Sequence, residues 1–130
     1  MFKDAKAFSS FSVDDVESAR QFYGETLGLN TSEAERQLVL NLAGGGTVFV
    51  YGKGDEHSAA SFTVLNFPIA VGSIEQAVDK LTAAGVSFEH YEGQGEMPST
   101  DEKGIFRGQG PVIAWFKDPA GNVLSIMEAR

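Results

Sequence analysis

Hydrophobic and polar positions along this chain alternate between two periods. Over residues 7–13, Phe11 and Val13 alternate with Ser10 and Ser12, the two-residue period of a strand. Val16, Ala19, Phe22, Tyr23 and Leu27 then fall at helical spacing, and Gly28 stands where a glycine ends a helix. Asp14 is read as the cap of this helix, with Glu17 completing a capping box. Residues 36–42 and 47–51 predict a hairpin around Gly44-Gly45-Gly46, and 52–58 form a polar linker.

The pattern then starts again. Residues 61–71 predict a strand, with Pro68 marking an edge or a bulge. Ile74, Ala77, Val78, Leu81 and Ala84 make a second helical stripe, capped by Ser73 with Gln76 and ended by Gly85. Residues 86–91 predict another strand and 92–109 a loop rich in glycine and charge. Residues 111–117 and 122–128 close the chain as a hairpin. Its turn, Asp118-Pro119-Ala120-Gly121, has Asp, Pro and Gly where a type I turn wants them. A bulge at Gly121 sets Trp115 opposite Ser125 on one face, with Phe116 and Leu124 on the other, toward the helices.

The two halves are copies. Val-Asp-Asp-Val-Glu-Ser-Ala at 13–19 recurs as Val-Gly-Ser-Ile-Glu-Gln-Ala at 71–77, an offset of 58 (71 − 13). Residues 46–51 recur more loosely at 121–126, an offset of 75 (121 − 46), which carries Ser125 onto Val50. An internal repeat constrains a fold more than any single motif. The expectation is an α+β chain of two βαβββ modules in tandem, about 6–52 and 61–129, within one domain spanning 1–130.

Composition narrows the chemistry. The 130 residues contain no cysteine, so disulfides, thiolate nucleophiles and cysteine-bound zinc are excluded. A formal net charge of −8 argues against nucleic acid, which is held largely by Lys and Arg on phosphates. It is compatible with a cationic ligand. No apolar run reaches the roughly 18 residues of a membrane span. The mixed-charge start lacks the apolar stretch of a signal peptide, so a cytoplasmic location is expected. His57, in the polar linker, reads as a solvated surface residue, and His90 as a partly exposed edge residue that Glu92 and Glu96 accompany.

These stretches resemble the vicinal oxygen chelate superfamily of glyoxalases, extradiol dioxygenases, and fosfomycin- and bleomycin-resistance proteins. The resemblance rests on Phe11-Ser12-Val13-Asp14-Asp15 with Phe22-Tyr23 and Leu27-Gly28-Leu29, and on residues 115–122, Trp-Phe-Lys-Asp-Pro-Ala-Gly-Asn. It implies paired modules whose mixed sheets curve into a cup with the helices outside. In metal-dependent members a His, Gln or Glu lies five residues before the valine that precedes each helix. Here those positions are Phe8 and Asn66. A Glu lies seven residues after the Asp of the Asp-Pro turn, here Ser125, which the repeat carries to Val50. Divalent metals of this chemistry want imidazole or carboxylate donors. The resemblance therefore implies no metal and no cofactor at this set, and glyoxalase or dioxygenase activity is doubtful.

By strand alternation Phe8, Trp115 and Met127 point into the expected cup, with Ser10 and Ser125 as hydroxyls beside them. The expected ligand-binding residues are Phe8, Ser10, Val50, Asn66, Trp115, Ser125, Met127 and Phe106, the last carried on a mobile flap over 92–109. The function expected is sequestration of an aromatic or cationic small molecule by a bleomycin-resistance-like homodimer. The alternative is a lyase, isomerase or dioxygenase with a non-standard metal site.

Overall fold

The structure, a computed structural model, describes residues 1–93 and 99–129. The chain divides into two compact units, Met1–Ala59 and Ala60–Arg130. In the first, β1 (Ser9–Val13) leads to α1 (Val16–Gln21), whose last turn widens into a π-helical stretch, Phe22–Thr26. Then come β2 (Asn30–Ala34), β3 (Gln37–Asn41) and β4 (Thr47–Gly52). In the second, β5 (Thr63–Ile69), α2 (Ile74–Ala83), β6 (Ile105–Phe106), β7 (Ile113–Lys117) and β8 (Val123–Glu128) follow in the same order.

Each unit is one βαβββ module with one four-stranded mixed sheet. The strand orders are β1-β4-β3-β2 and β5-β8-β7-β6. The first strand of each runs parallel to the last, and the remaining pairs are antiparallel. The α+β reading and the tandem repeat are therefore found as expected.

One face of each sheet packs on its helix. In the first unit this face holds Phe11, Val13, Leu38, Leu40, Val48 and Val50, all buried. Phe11 meets Tyr23 of the π-helical stretch, ring centroids 6.0 Å apart. In the second unit Ala114, Phe116, Leu124 and Ile126 are buried with Ile74 and Val78 of α2. Phe88 closes this core against Phe116 at 5.4 Å. A buried Leu, Ile or Phe contributes about 1.5–3 kcal/mol, so these rows set the pleat of each sheet.

The repeat is corrected by one residue. β3 and β7 both have five residues and start 76 apart (113 − 37); β4 and β8 both have six and start 76 apart (123 − 47). A slip of one residue exchanges the faces of a strand. The partner of Ser125 is thus Phe49, while Val50 lies on the helix side with Phe11 and Leu38 as its neighbours. The first strands end 56 apart (69 − 13) and the helices begin 58 apart (74 − 16). The difference is two extra residues in the second strand-to-helix turn, and it makes Ser10 the counterpart of Asn66.

Several local expectations change. Asp15 rather than Asp14 caps α1, accepting from the Glu17 and Ser18 amides at 2.9 and 3.2 Å. Ser73 makes no capping bond; its hydroxyl donates to the Ala70 carbonyl, and Glu128 Oε2 accepts from the Ile74 amide at 3.1 Å instead. Residues 86–91 form no strand, although Phe88 bridges Phe116. β2 was not foreseen: it is polar and largely exposed, and it joins β3 through Glu35 and Arg36 at φ 50° and 70°. The closing turn is as expected. Gly121 N–H donates to the Asp118 carbonyl at 3.0 Å, and Trp115 pairs with Ser125.

The loop expected over 92–109 is largely built. Its Gly95, Glu96 and Pro98 lie outside the described residues. Residues 99–107 are fixed by β6 and by Asp101, whose Oδ1 accepts from the Lys103 and Ile105 amides, both at 2.9 Å. Lys103 reaches Asp79 of α2 at 3.0 Å and Arg107 reaches Glu75 at 3.7 Å. Phe106 is thus carried by a strand rather than by a free flap.

Candidate functional site

The second sheet's other face is open and chemically mixed. Asn66, Ser125 and Trp115 are consecutive neighbours across β5, β8 and β7. One row further lie Pro68, Met127 and Ile113, with Phe106 opposite Ile113. Trp115 is half-buried between two rings. Tyr91 meets it edge-on at 5.6 Å and Phe106 at 6.4 Å. Such pairs hold one another by about 0.5–1.5 kcal/mol beyond their burial. Gly108 lets the Phe106 ring lie flat on the backbone, since a Cβ there would fall 2.3 Å from Phe106 Cζ.

Ser125 is fully buried and donates its hydroxyl proton to Asn66 Oδ1 at 2.5 Å. Asn66 itself is exposed. Burial first, and the Glu89 carboxylate second, push the Tyr91 phenol above its ordinary range, so it stays protonated at neutral pH. Sequence reading missed Tyr91 because residues 86–91 were taken for a strand; its i, i+2 spacing from Glu89 carries no aromatic signal.

The first sheet's open face differs. Ser10 and Phe49 are neighbours, as are Ser12 and Tyr51. Phe49 and Tyr51 stack at 6.1 Å with an interplanar angle of 20°. Ser12 Oγ and His57 Nδ1 are hydrogen-bonded at 2.8 Å, so His57 is half-buried against β1 rather than freely solvated. Phe8 precedes β1 and is 65% exposed. Of the eight expected binding residues, Asn66, Ser125, Trp115, Met127 and Phe106 come together on one face. Ser10 and Phe8 belong to the other unit, and Val50 is buried beneath a helix with 0% exposure. A separate cavity of about 240 Å³ opens beside α1, lined by Glu17, Arg20, Glu33 and Arg36; it touches none of these residues.

Residues of the metal-dependent pattern do not fit a metal here. Phe8 and Phe49 have no lone pair to give, and Ser10, the structural counterpart of Asn66, offers only a neutral oxygen, as do the hydrogen-bonded Ser125 and Asn66, a weak donor set for a transition metal. Among the described residues no three His, Asp or Glu side chains converge on one point. His90 is exposed, and its companion Glu96 lies outside the described residues.

A family model described as glyoxalase/bleomycin resistance protein/dioxygenase superfamily matches residues 8–126. The chain belongs to this superfamily. Solved structures share the fold at low identity. An integron cassette protein from the mobile metagenome of the Halifax Harbour sewage outfall is 24% identical over 95% of this chain and 99% of its own, TM-score 0.68. A fosfomycin resistance protein of Mesorhizobium loti is 13% identical over 100% and 95%, TM-score 0.65. A lactoylglutathione lyase of Agrobacterium tumefaciens is 14% identical over 99% and 96%, TM-score 0.69. No curated protein matches the chain. Among the described residues no helix is long and apolar enough to cross a membrane. Superfamily membership and fold are thus established, and activity has to be argued from this chain's own side chains.

Proposed function

We propose that this superfamily member is a metal-independent small-molecule binding protein of the cytoplasm, sequestering an aromatic or cationic ligand on the open face of its second sheet. One observation carries the reading. Where metal-dependent members place an acidic donor, Ser125 stands hydrogen-bonded to Asn66 and beside an aromatic wall of Trp115, Phe106 and Tyr91. Apolar surface with a few fixed polar groups is what small-ligand sites present. Sequestration asks only for affinity, so it needs no nucleophile and no metal.

Phe8 and Ser10 are assigned the same role on the open face of the first unit. Val50 drops out because it faces a helix. Phe62 and Val71 are 68% and 73% exposed, and β1, β2 and β5 are sheet edges. Pairing of two chains would cover such surface, and a two-fold homodimer is proposed. Light scattering then reads about twice the 13.9 kDa chain mass; a monomer at micromolar concentration overturns this part.

The binding experiment is a thermal-shift screen of aromatic and cationic compounds on the wild type and on Trp115→Ala. Hits should stabilise the wild type and lose most of that effect in the variant. Metal analysis of dialysed protein is the second arm. Near-stoichiometric zinc, nickel, manganese or iron would replace this reading with the metal-dependent enzyme.

A further inference from the structure

The polar side chains around Trp115 on the open face of the second sheet present hydrogen-bond donors outward. Ser125 has one hydroxyl proton and gives it to Asn66 Oδ1 at 2.5 Å. That bond orients the carboxamide: its oxygen is used and its Nδ2 carries two N–H groups outward. Nδ2 makes no hydrogen bond with any described residue, and Asn66 is exposed. Trp115 lies in the same row, and its indole N–H is a donor only. Tyr91 keeps its phenolic proton.

Charge on this face points the same way. Its strand residues include no Asp or Glu, and its one charged strand residue, Lys117, is paired with the Glu89 carboxylate at 3.3 Å, so the two charges offset each other. Glu75 and Asp79 lie on the helix, away from this face. Salt screens such exposed charges beyond about 8 Å. The rings of Tyr91, Trp115 and Phe106 touch one another edge-on and tilted, rather than standing apart around a space for an ammonium.

We infer that the ligand class of this face is a planar aryl compound bearing a carbonyl or carboxylate acceptor, not a cation. The inference rests on the binding reading above and narrows it. Stacking on Trp115 supplies the apolar part, and Asn66 Nδ2 reads the acceptor. Trp115 is the only tryptophan, so its single indole N–H resonance reports on this face directly.

Three probes of one shape decide the matter: naphthoate, naphthamide and naphthylmethylammonium, each titrated by calorimetry while the indole resonance is followed. Naphthoate and naphthamide should shift the indole signal and bind at least about tenfold tighter than the ammonium, a difference of about 1.4 kcal/mol. Asn66→Asp replaces the two donors by acceptors and should invert that order. Ser125→Ala, which frees the carboxamide to rotate, should shrink it. Equal affinity for all three probes, or an ammonium preference in the wild type, overturns the inference and leaves a binding site of another specificity. If no probe moves the indole signal, the binding reading falls with it. The wild-type ranking decides alone if a variant fails to fold.

Discussion

The two sheets share one topology and present different open faces. Sheet one carries Ser10, Ser12, Phe49 and Tyr51, with the His57 imidazole drawn onto Ser12. Sheet two carries Asn66 and Ser125 beside a wall of three rings. Their helix faces are alike, rows of Val, Leu, Ile and Phe at matching register. Burial fixes one side of each sheet because every polar substitution there costs desolvation. The other side is not constrained in this way, and there the copies differ. Candidate chemistry is therefore found on the sides of the two sheets where they are least alike.

The helix faces give the largest expected effects. Phe116 has no exposed surface and packs on Phe88, so Phe116→Ala should cost about 3–5 kcal/mol. Urea unfolding followed by Trp115 fluorescence measures it. The matching change in unit one, Leu40→Ala, should cost about 2–5 kcal/mol by the same mechanism. A loss under about 1 kcal/mol at either site would mean that these rows are not cores of the kind described.

The hairpins separate the units next. Asp118 is buried and accepts from the amides of Ala120 and Asn122 at 3.0 and 2.9 Å and from the Asn122 carboxamide at 3.1 Å. Asp118→Ala should therefore cost about 1.5–3 kcal/mol. Among the described residues the glycine hairpin of unit one has no such network. Gly45 is needed there for its φ of 92°, and Gly45→Ala should cost about 1–2 kcal/mol through backbone strain alone. Asp118→Asn tests the contrast. It keeps the shape and should recover part of the loss, a rescue with no analogue at Gly45.

The fold was legible in the sequence because hydrophobic alternation, helical stripes and the Asp-Pro-Ala-Gly turn all encode burial or backbone conformation. Trp115 opposite Ser125 followed from that turn alone. The failures have physical causes too. β2, Asn-Thr-Ser-Glu-Ala, is a polar edge with no alternation to detect, and its Glu35-Arg36 turn uses residues that rarely take positive φ. Val50 was misplaced because a loose glycine match set the repeat one residue out, and one residue turns a strand over. Ser12 and His57 meet across 45 positions of chain, a pairing that no local pattern announces. Asn66 is singled out only by the position that the resemblance assigns to a metal ligand, and its hydrogen bond to Ser125 is a product of folding.

Ser12 and His57 give a smaller effect than the hairpins. Their bond is half-buried, and Ser12→Ala should cost about 1 kcal/mol in urea unfolding. No measurable loss would mean that the Ser12–His57 bond contributes nothing net to the fold.

Tyr91 gives the smallest effect and the sharpest test of the aromatic wall. Its phenol ionises at higher pH when folded than when unfolded, because burial and the Glu89 charge both disfavour the phenolate. The sign follows from linkage. A group with a raised folded pKa contributes stability that is fully present below the unfolded value and is lost as pH rises through the folded one. The contribution should thus be flat at neutral pH and fade above about pH 10. Tyr91→Phe keeps the ring contact with Trp115 and removes the titration. Its stability should therefore decline less than that of the wild type over this alkaline range. Identical pH profiles for the two proteins would mean that the Tyr91 phenol is as free in the folded chain as in the unfolded one.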